Sequence, residues 1–373
     1  MIRIQPVNSK QELKTFIDFP HELYKGDPNY VPELFIAQRD MLTPGKHPFH
    51  KHSSLQAFLA VKDNKIVGRI AAIQNRNHNR FNQDKEGFFG FYDCIDDKEV
   101  AGALVETASA WLKNKGLDKI VGPVNFSTND TCGMLLEGYD VPPVAMMTYN
   151  KPYYHQLMEM AGFSKKVDLL AWKIESGKQN DRVVKLQDAL KQRIKQKGIT
   201  LRPVNMKKFK TEVPLIREVY NRAWDKNLGF VPMTDDEFDY LAKDLKLLLD
   251  PDFCLIAEHE GRFVGFALCI PDINQVLIKI KKGRLLPTGL FKLLTQRKKI
   301  NVIRVIALGV LEPYRKMGIE ATFYATIIEK CLEKGIRMAE ASWILEHNDM
   351  MNRAIANING EAYKKYRIYE KAL

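Results

Sequence analysis

Residues Ala307–Ala321 read ALGVLEPYRKMGIEA. The run that leads into them, Val302–Val310, is apolar almost throughout, as in a strand buried on both faces of a sheet. Beyond them, Ile319, Phe323, Tyr324, Ile327, Ile328, Cys331 and Leu332 recur at helical spacing, which predicts an amphipathic helix of about three and a half turns. A tight turn with Pro313, Arg315, Lys316 and Gly318 lies between the two. A strand, a basic glycine-bearing turn and a helix N-terminus suit an anion. The first N–H groups of the helix are free, its dipole is positive there, and a glycine lets a phosphate approach the backbone. The spacing by itself fits an ordinary turn that binds nothing equally well.

The segment PYRKMGIE resembles the acyl-CoA-binding motif of the GNAT acyltransferase superfamily, Arg/Gln-x-x-Gly-x-Gly/Ala. Arg315 and Gly318 match its first and fourth positions. Glu320 stands where the motif has a small residue, and a carboxylate there opposes a diphosphate. The stretch Trp343–Lys371 resembles the end of the same fold: a strand, an Asn-initiated helix, a glycine at its close and a last strand. The whole-chain pattern is similar to a bacterial group of GNAT-like acyltransferases, some of them linked to N-acylation of sphingoid bases. The resemblance implies an α/β fold of mixed sheets with flanking helices. It also implies acyl-CoA, acetyl-CoA or longer, as the donor, held by Val310, Leu311, Arg315, Lys316, Gly318 and Ile319.

The composition agrees with such a protein. Of the 373 residues, 45% are hydrophobic, enough for sizeable cores in about two domains. The start, MIRIQPVNSK, is polar and alternating, like a first strand rather than a signal peptide. No apolar run is long enough to span a bilayer. Cys94, Cys132, Cys254, Cys269 and Cys331 are scattered and odd in number, which suggests neither a disulfide framework nor a zinc site and fits a reducing cytoplasm. The formal net charge of +12 calls for an anionic partner: a phosphorylated cofactor, an acidic membrane face or an acidic carrier protein. Nucleic acid is the weaker choice, since no zinc-finger spacing or aromatic-basic RNA motif is present.

The chain also repeats itself. IQPVN at 4–8 matches LRPVN at 201–205, and AVKDNKIVGRI at 60–70 matches AEHEGRFVGFA at 257–267, both at an offset of 197. Asn150 matches Asn348 and Gly162 matches Gly360 at 198. Several matches in one order indicate duplication of one fold. We therefore expect two tandem GNAT-like domains, 1–176 and 182–373, joined by the polar stretch ESGKQND at 175–181. The turn in the first half that corresponds to the basic one is CIDDKEVA at 94–101. Asp96 and Asp97 make it unfit for a diphosphate, so the first half reads as a degenerate copy that shapes the acceptor pocket. The halves differ at 122–150, where the first has extra chain, and at 272–299, where the second carries an insertion. From Lys279 to Lys299 the insertion has eight cationic residues, no acidic one, and many Leu and Phe residues. That pattern suits an anionic membrane surface or an acyl-carrier protein.

Acyl transfer to an amine needs a neutral nucleophile, a polarised carbonyl and a proton for the leaving thiolate. In the superfamily a tyrosine seven residues after the Asn348-type asparagine often supplies that proton. Here the position is Ile355, which cannot donate. Glu346, His347, Tyr149 and Tyr153 are the candidates in its place. Asn348 also suits a helix cap. The polar run Asn125, Ser127, Asn129 and Asp130, flanked by Met and Leu, reads as a pocket wall. Trp224, Asn227 and Phe230 fall where relatives line the acceptor site. His47, His50 and His52 share one loop, but no carboxylate or cysteine completes a metal set, so no metal is expected. The reading is a cytoplasmic acyl-CoA-dependent N-acyltransferase with a small-molecule or lipid-like amine acceptor, peripheral to the inner membrane face if the insertion binds lipid. The alternatives are a decayed GNAT-fold binding or regulatory protein and an acyltransferase that uses a carrier protein.

Overall fold

Strands form where apolar residues alternate or run on, and among the described residues each half supplies six of them in the same order, with one further short strand in the first. A computed structural model describes residues 1–178, 181–224 and 229–373, with the backbone alone at 181–185 and 187. Asn227 and part of the expected linker lie outside the described residues. The first half runs β1 (Ile2–Pro6), α1 (Lys10–Leu23), α2 (Phe35–Leu42), β2 (Ser54–Lys62), β3 (Lys65–Gln74), α3 (Arg76–Asn82), β4 (Glu86–Cys94), α4 (Lys98–Lys113) and β5 (Lys119–Gly122). A short β6 (Met134–Glu137), α5 (Tyr154–Met160) and a long β7 (Ser164–Glu175) follow. The second half runs α6 (Asp181–Gln196), β8 (Ile199–Pro203), α7 (Phe209–Ala223), α8 (Asp235–Lys246), β9 (Cys254–His259) and β10 (Arg262–Pro271). Its insertion folds as α9 (Asn274–Leu277) and α10 (Gly289–Gln296). Then come β11 (Val302–Val310), α11 (Ile319–Glu333), β12 (Met338–Leu345), α12 (Asp349–Ala356) and β13 (Glu361–Ala372).

All these strands join one sheet, in the order β1-β2-β3-β4-β5-β13-β7-β12-β11-β10-β9-β8, with β6 beside β13. The order is nearly symmetric about its centre. Each half contributes one parallel pair, β4 with β5 and β11 with β12. At the centre the halves exchange strands. β13, from the end of the chain, lies between β5 and β7, and β7 pairs in turn with β12 of the second half. Arg367 on β13 clamps Asp168 on β7 through two hydrogen bonds of 2.7 and 3.0 Å. The chain boundary at 176–182 is therefore not a boundary of the sheet.

The buried faces follow the apolar pattern. Ile303 and Val305 of β11 pack with Ile319, Phe323, Ile327 and Cys331 of α11, all in one core cluster. Burial of each such side chain contributes about 1.5–3 kcal/mol. The opposite face, through Ala307, meets α7 and Phe266. Arg304 interrupts this apolar strand and is 2% exposed. Its guanidinium donates to Ser342 Oγ (2.9 Å) and to the carbonyls of Ser342, Ala145 and Met146 (3.0–3.1 Å). It thereby ties the extra chain of the first half onto β11 and β12.

Candidate active site

β11 and β12 pair only from Val302/Met338 to Val305/Ala341. Past that point they part, and a cavity of about 230 Å³ fills the space between the halves. Ala307, Trp343, Tyr220, Trp224, Phe230 and Asp130 line its central part. The rim of Trp224 rests on Gly309, where an added Cβ would lie 2.4 Å from the indole. Tyr220 stacks on Trp224 at 4.9 Å and donates to Asn129 Oδ1 at 2.6 Å. One end of the cavity runs under α7 and α8, walled by Phe209, Val213, Ile216, Ala242, Leu245 and Leu249. The other end is closed by His78, Glu86 and Lys166. Burial favours the neutral form of Glu86, yet His78 and Lys166 together hold its carboxyl down at about 2.

A second cavity of about 170 Å³ shares the wall made by Asn129, Asp130 and Leu241. It is the polar one. Glu33, Glu237 and Asp244 face it with His47, His52 and Tyr240. Asp130 therefore meets both cavities and is half-buried. Burial pushes its carboxyl up to about 7, aided by the nearby Glu237 and opposed by a hydrogen bond from Ser127 Oγ at 3.1 Å. Burial likewise keeps His47 neutral, its imidazole lowered to about 4. His52 pairs with Glu237 at 2.9 Å, and His50 bonds the Met41 carbonyl at 2.9 Å, so the three loop histidines have separate partners.

At the end of β11, Val310 faces Gly265 of β10 in register, and the next N–H, of Leu311, donates to the Val264 carbonyl at 2.9 Å. Hydrogen bonds alternate along an antiparallel strand, so the Val310 N–H points the other way, into the parting of β11 and β12. Of the N–H groups of Val310 and Leu311, only that of Val310 is directed into this gap. Arg315 is exposed and donates to the carbonyls of Val310 (3.1 Å) and Ala223 (3.0 Å), locking the turn. Lys316 is exposed with φ 65°, and Ile319 is buried. Gly318 caps α11 at φ 99°, with only the tip of Ile194 within 4 Å of the place a Cβ would take. No side chain caps the first turn of α11. The matching turn in the first half differs: Asp97 accepts from the N–H groups of Glu99 and Val100 and binds Lys62 at 2.7 Å. A protein carboxylate already occupies that helix end.

The catalytic candidates lie elsewhere. Glu346 is an exposed side chain that accepts from Lys165 Nζ at 2.7 Å and from the Asp168 N–H at 3.0 Å. Partial burial favours its neutral form, but these partners outweigh it and lower the carboxyl. His347 is exposed beyond the end of β12. Tyr149 donates to Asp27 at 3.0 Å and Tyr153 to the Cys94 carbonyl at 2.8 Å, and both hold the first half together. None of the four lines either cavity. Asn125 accepts from the Phe91 N–H and holds its own loop, and Asn348 caps α12. Ser127, Asn129, Asp130, Trp224 and Phe230 do line the cavities. Trp343 and Arg304 were not singled out by the sequence. The charge of Arg304 inside an apolar strand was the one available signal.

The geometry defines a duplicated α/β fold whose parallel strands β11 and β12 part over an apolar cavity, the build of an acyltransferase of the GNAT kind. Residues 214–355 match the family model described as "Acetyltransferase (GNAT) family". The chain is 38% identical over 374 residues to Protein YghO of Escherichia coli (strain K12), covering 98% of this chain and 94% of that protein. It is 34% identical over 382 residues to Bacterial ceramide synthase of Caulobacter vibrioides, covering 100% and 98%. In structure it is similar to a tandem GNAT protein from the clavulanic acid biosynthesis pathway, with a TM-score of 0.55, 12% identity and coverage of 100% and 98%. That likeness shows the fold alone. The chain belongs to the GNAT acyltransferase superfamily, in its tandem form. Acyl-CoA is the general donor of that family. Among the described residues no helix is long and apolar enough to cross a membrane.

Proposed function

We propose that the protein transfers a long acyl chain from coenzyme A to the primary amine of a lipid-like acceptor. The observation that carries this reading is the apolar cavity that opens where β11 and β12 part and continues under α7 and α8. A short acyl group needs no such room. The 34% identical relative named a ceramide synthase supports the amine and the lipid character, since ceramide is an N-acyl amide of a long-chain amino alcohol.

Acyl-CoA, when bound, supplies an activated carbonyl on a good leaving thiolate. The residues present fit its diphosphate: an uncapped helix end, an open Gly318 and the cations Arg315 and Lys316. The Val310 N–H is aimed to polarise a carbonyl oxygen. Asp130 is the proposed base. It takes a proton from the acceptor ammonium, the freed amine bonds to the carbonyl carbon, the C–S bond breaks and the thiolate leaves with the remaining proton. The polar second cavity, rich in carboxylates, suits the cationic, hydroxyl-bearing head of the acceptor.

The test is thiol release by the full chain from acetyl-CoA and palmitoyl-CoA, with sphinganine or a short alkylamine as acceptor. Faster release from palmitoyl-CoA, dependent on sphinganine and yielding the amide by mass spectrometry, is the expected outcome. Equal or faster turnover of acetyl-CoA would remove the long-chain reading, and no turnover with any pair would favour a decayed enzyme.

A further inference from the structure

The insertion between β10 and β11 divides its apolar residues into two sets. Ile273, Val276, Leu277 and Ile280 are buried in a cluster with Val31, Ala145 and Leu245, which joins both halves. Leu286, Leu290, Phe291 and Leu294 point outward and are 76, 42, 70 and 68% exposed. All four belong to α10 or to the turn before it. Lone surface leucines are unremarkable, but four large apolar side chains on one short arm call for a covering surface.

The cations divide in the same way. Lys282 pairs with Glu22 at 2.7 Å, and Arg284 pairs with Asp18 at 2.7 Å while lying 3.3 Å from the centre of the Phe35 ring. These two bolt the arm onto α1 and α2. Lys279 and Lys292 bond within the arm, to Gln296 and to the Lys279 carbonyl. Lys281, Arg297, Lys298 and Lys299 are exposed, and no ion pair holds them among the described residues. The anchored arm thus presents exposed apolar side chains together with cations that have no ion-pair partner among the described residues.

We propose that this arm docks the protein on an anionic bilayer surface, with Leu286, Leu290, Phe291 and Leu294 in the interface and Lys281, Arg297, Lys298 and Lys299 at the headgroups. Membrane-surface segments use this combination of apolar body and basic rim. An acidic carrier protein would engage the cations but leave most of the apolar surface in water, so the bilayer is the better match. The arm also backs onto the cavity. Leu245 lies in the cluster that seats the arm and lines the apolar cavity at the same time. Docking through α10 therefore sets the cavity wall next to the lipid phase. The proposal is independent of the chemistry at Asp130.

The experiment is flotation of the full chain with vesicles of phosphatidylcholine alone and of phosphatidylcholine and phosphatidylglycerol in equal parts. Two variants accompany the wild type: Phe291→Ser with Leu294→Ser, and Arg297→Glu with Lys298→Glu and Lys299→Glu. All five positions are at the surface, and circular dichroism checks that each variant is folded. The wild type should float with the anionic vesicles only, and added salt should release it. The charge-reversed variant should bind about a hundredfold more weakly or worse, and the apolar variant should also lose binding. Equal flotation of all three proteins, or none by the wild type, overturns the proposal. Should the charge variant fail only with an acyl-carrier-protein donor while flotation is absent throughout, the arm is a carrier-docking surface instead.

Discussion

Asp130 is a carboxyl group that meets an apolar and a polar cavity at once, and its two roles can be separated. Its carboxyl is raised by burial from 3.8 to about 7, opposed by Ser127 and aided by Glu237, and Tyr220 lies near it. Below about pH 4 it is protonated folded or unfolded and its contribution to stability is complete. As pH rises through 7 the folded chain must carry a charge it disfavours, and that contribution is lost. Asp130→Asn keeps an acceptor for Ser127 and removes the charge. Its melting temperature should exceed that of the wild type at pH 8 and equal it near pH 4. Activity should move the opposite way, with kcat/KM lower by about 10²–10⁴ and without the rise near pH 7 that the wild type shows. A variant that loses neither activity nor the pH limb would take the base away from this residue. Gly318 allows a similar contrast. At φ 99° it sits where L side chains are strained, but Asn tolerates such a backbone better than most residues. Calorimetry should find coenzyme A bound more than about tenfold more weakly by Gly318→Asp than by Gly318→Asn, because only the former adds a carboxylate at the helix end. Equal affinities would place the diphosphate elsewhere.

Among the elements, α11 and α4 occupy equivalent places and have opposite N-termini. In α4 the carboxylate of Asp97 satisfies two N–H groups. In α11 the first turn has no side-chain cap, which leaves its donors and its dipole for a ligand. α8 has a double duty of another kind. Its capping box, Thr234 with Glu237, also orients His52 toward the polar cavity. Its inner face, through Leu241, Ala242 and Leu245, walls the apolar one. Leu245→Trp should fill the end under α7 and α8 and shift thiol release from palmitoyl-CoA toward acetyl-CoA by about tenfold. Unchanged chain-length preference would show that the acyl chain does not enter there.

At the scale of the whole molecule the central feature is the exchange of β7 and β13. A fragment of residues 1–176 would lack β13 and leave the short β5 and the twelve-residue β7 with unpaired edges, a known route to aggregation. That fragment is expected to be insoluble or unfolded. The full chain should melt in one transition, because the central strands of each half are completed by the other. Two separate calorimetric transitions, or a soluble folded fragment, would show that the halves are independent after all.

Local signals were legible without any structure. The apolar run at 302–310, the basic glycine turn and the helical spacing after it each depend on neighbours a few residues away, and strand, turn and helix stand where the spacing puts them. The Thr234–Glu237 capping box and the two matching hairpins are of the same sort. The candidate pocket residues Ser127, Asn129 and Asp130 were singled out by their polarity and Trp224 and Phe230 by the resemblance, yet nothing in the chain distinguished Asp130 from its neighbours. Its raised carboxyl depends on α8 and on the second half, which lie about a hundred residues away. Glu346 and His347 stand apart from both cavities for the converse reason. Their nearness to the end of β12 is local, but Glu346 accepts from Lys165 of the exchanged strand at the surface. The repeat implied two copies of one fold and could not imply which copy owns the last strand, since β7 and β13 fit either partner by pattern. The sequence by itself therefore determined the superfamily, the duplicated elements and the place of the basic glycine turn. Only the tertiary structure decided the strand exchange, the cavity between the halves and the surroundings of the carboxyl group that meets both cavities, because each depends on contacts between segments that no short-range pattern records.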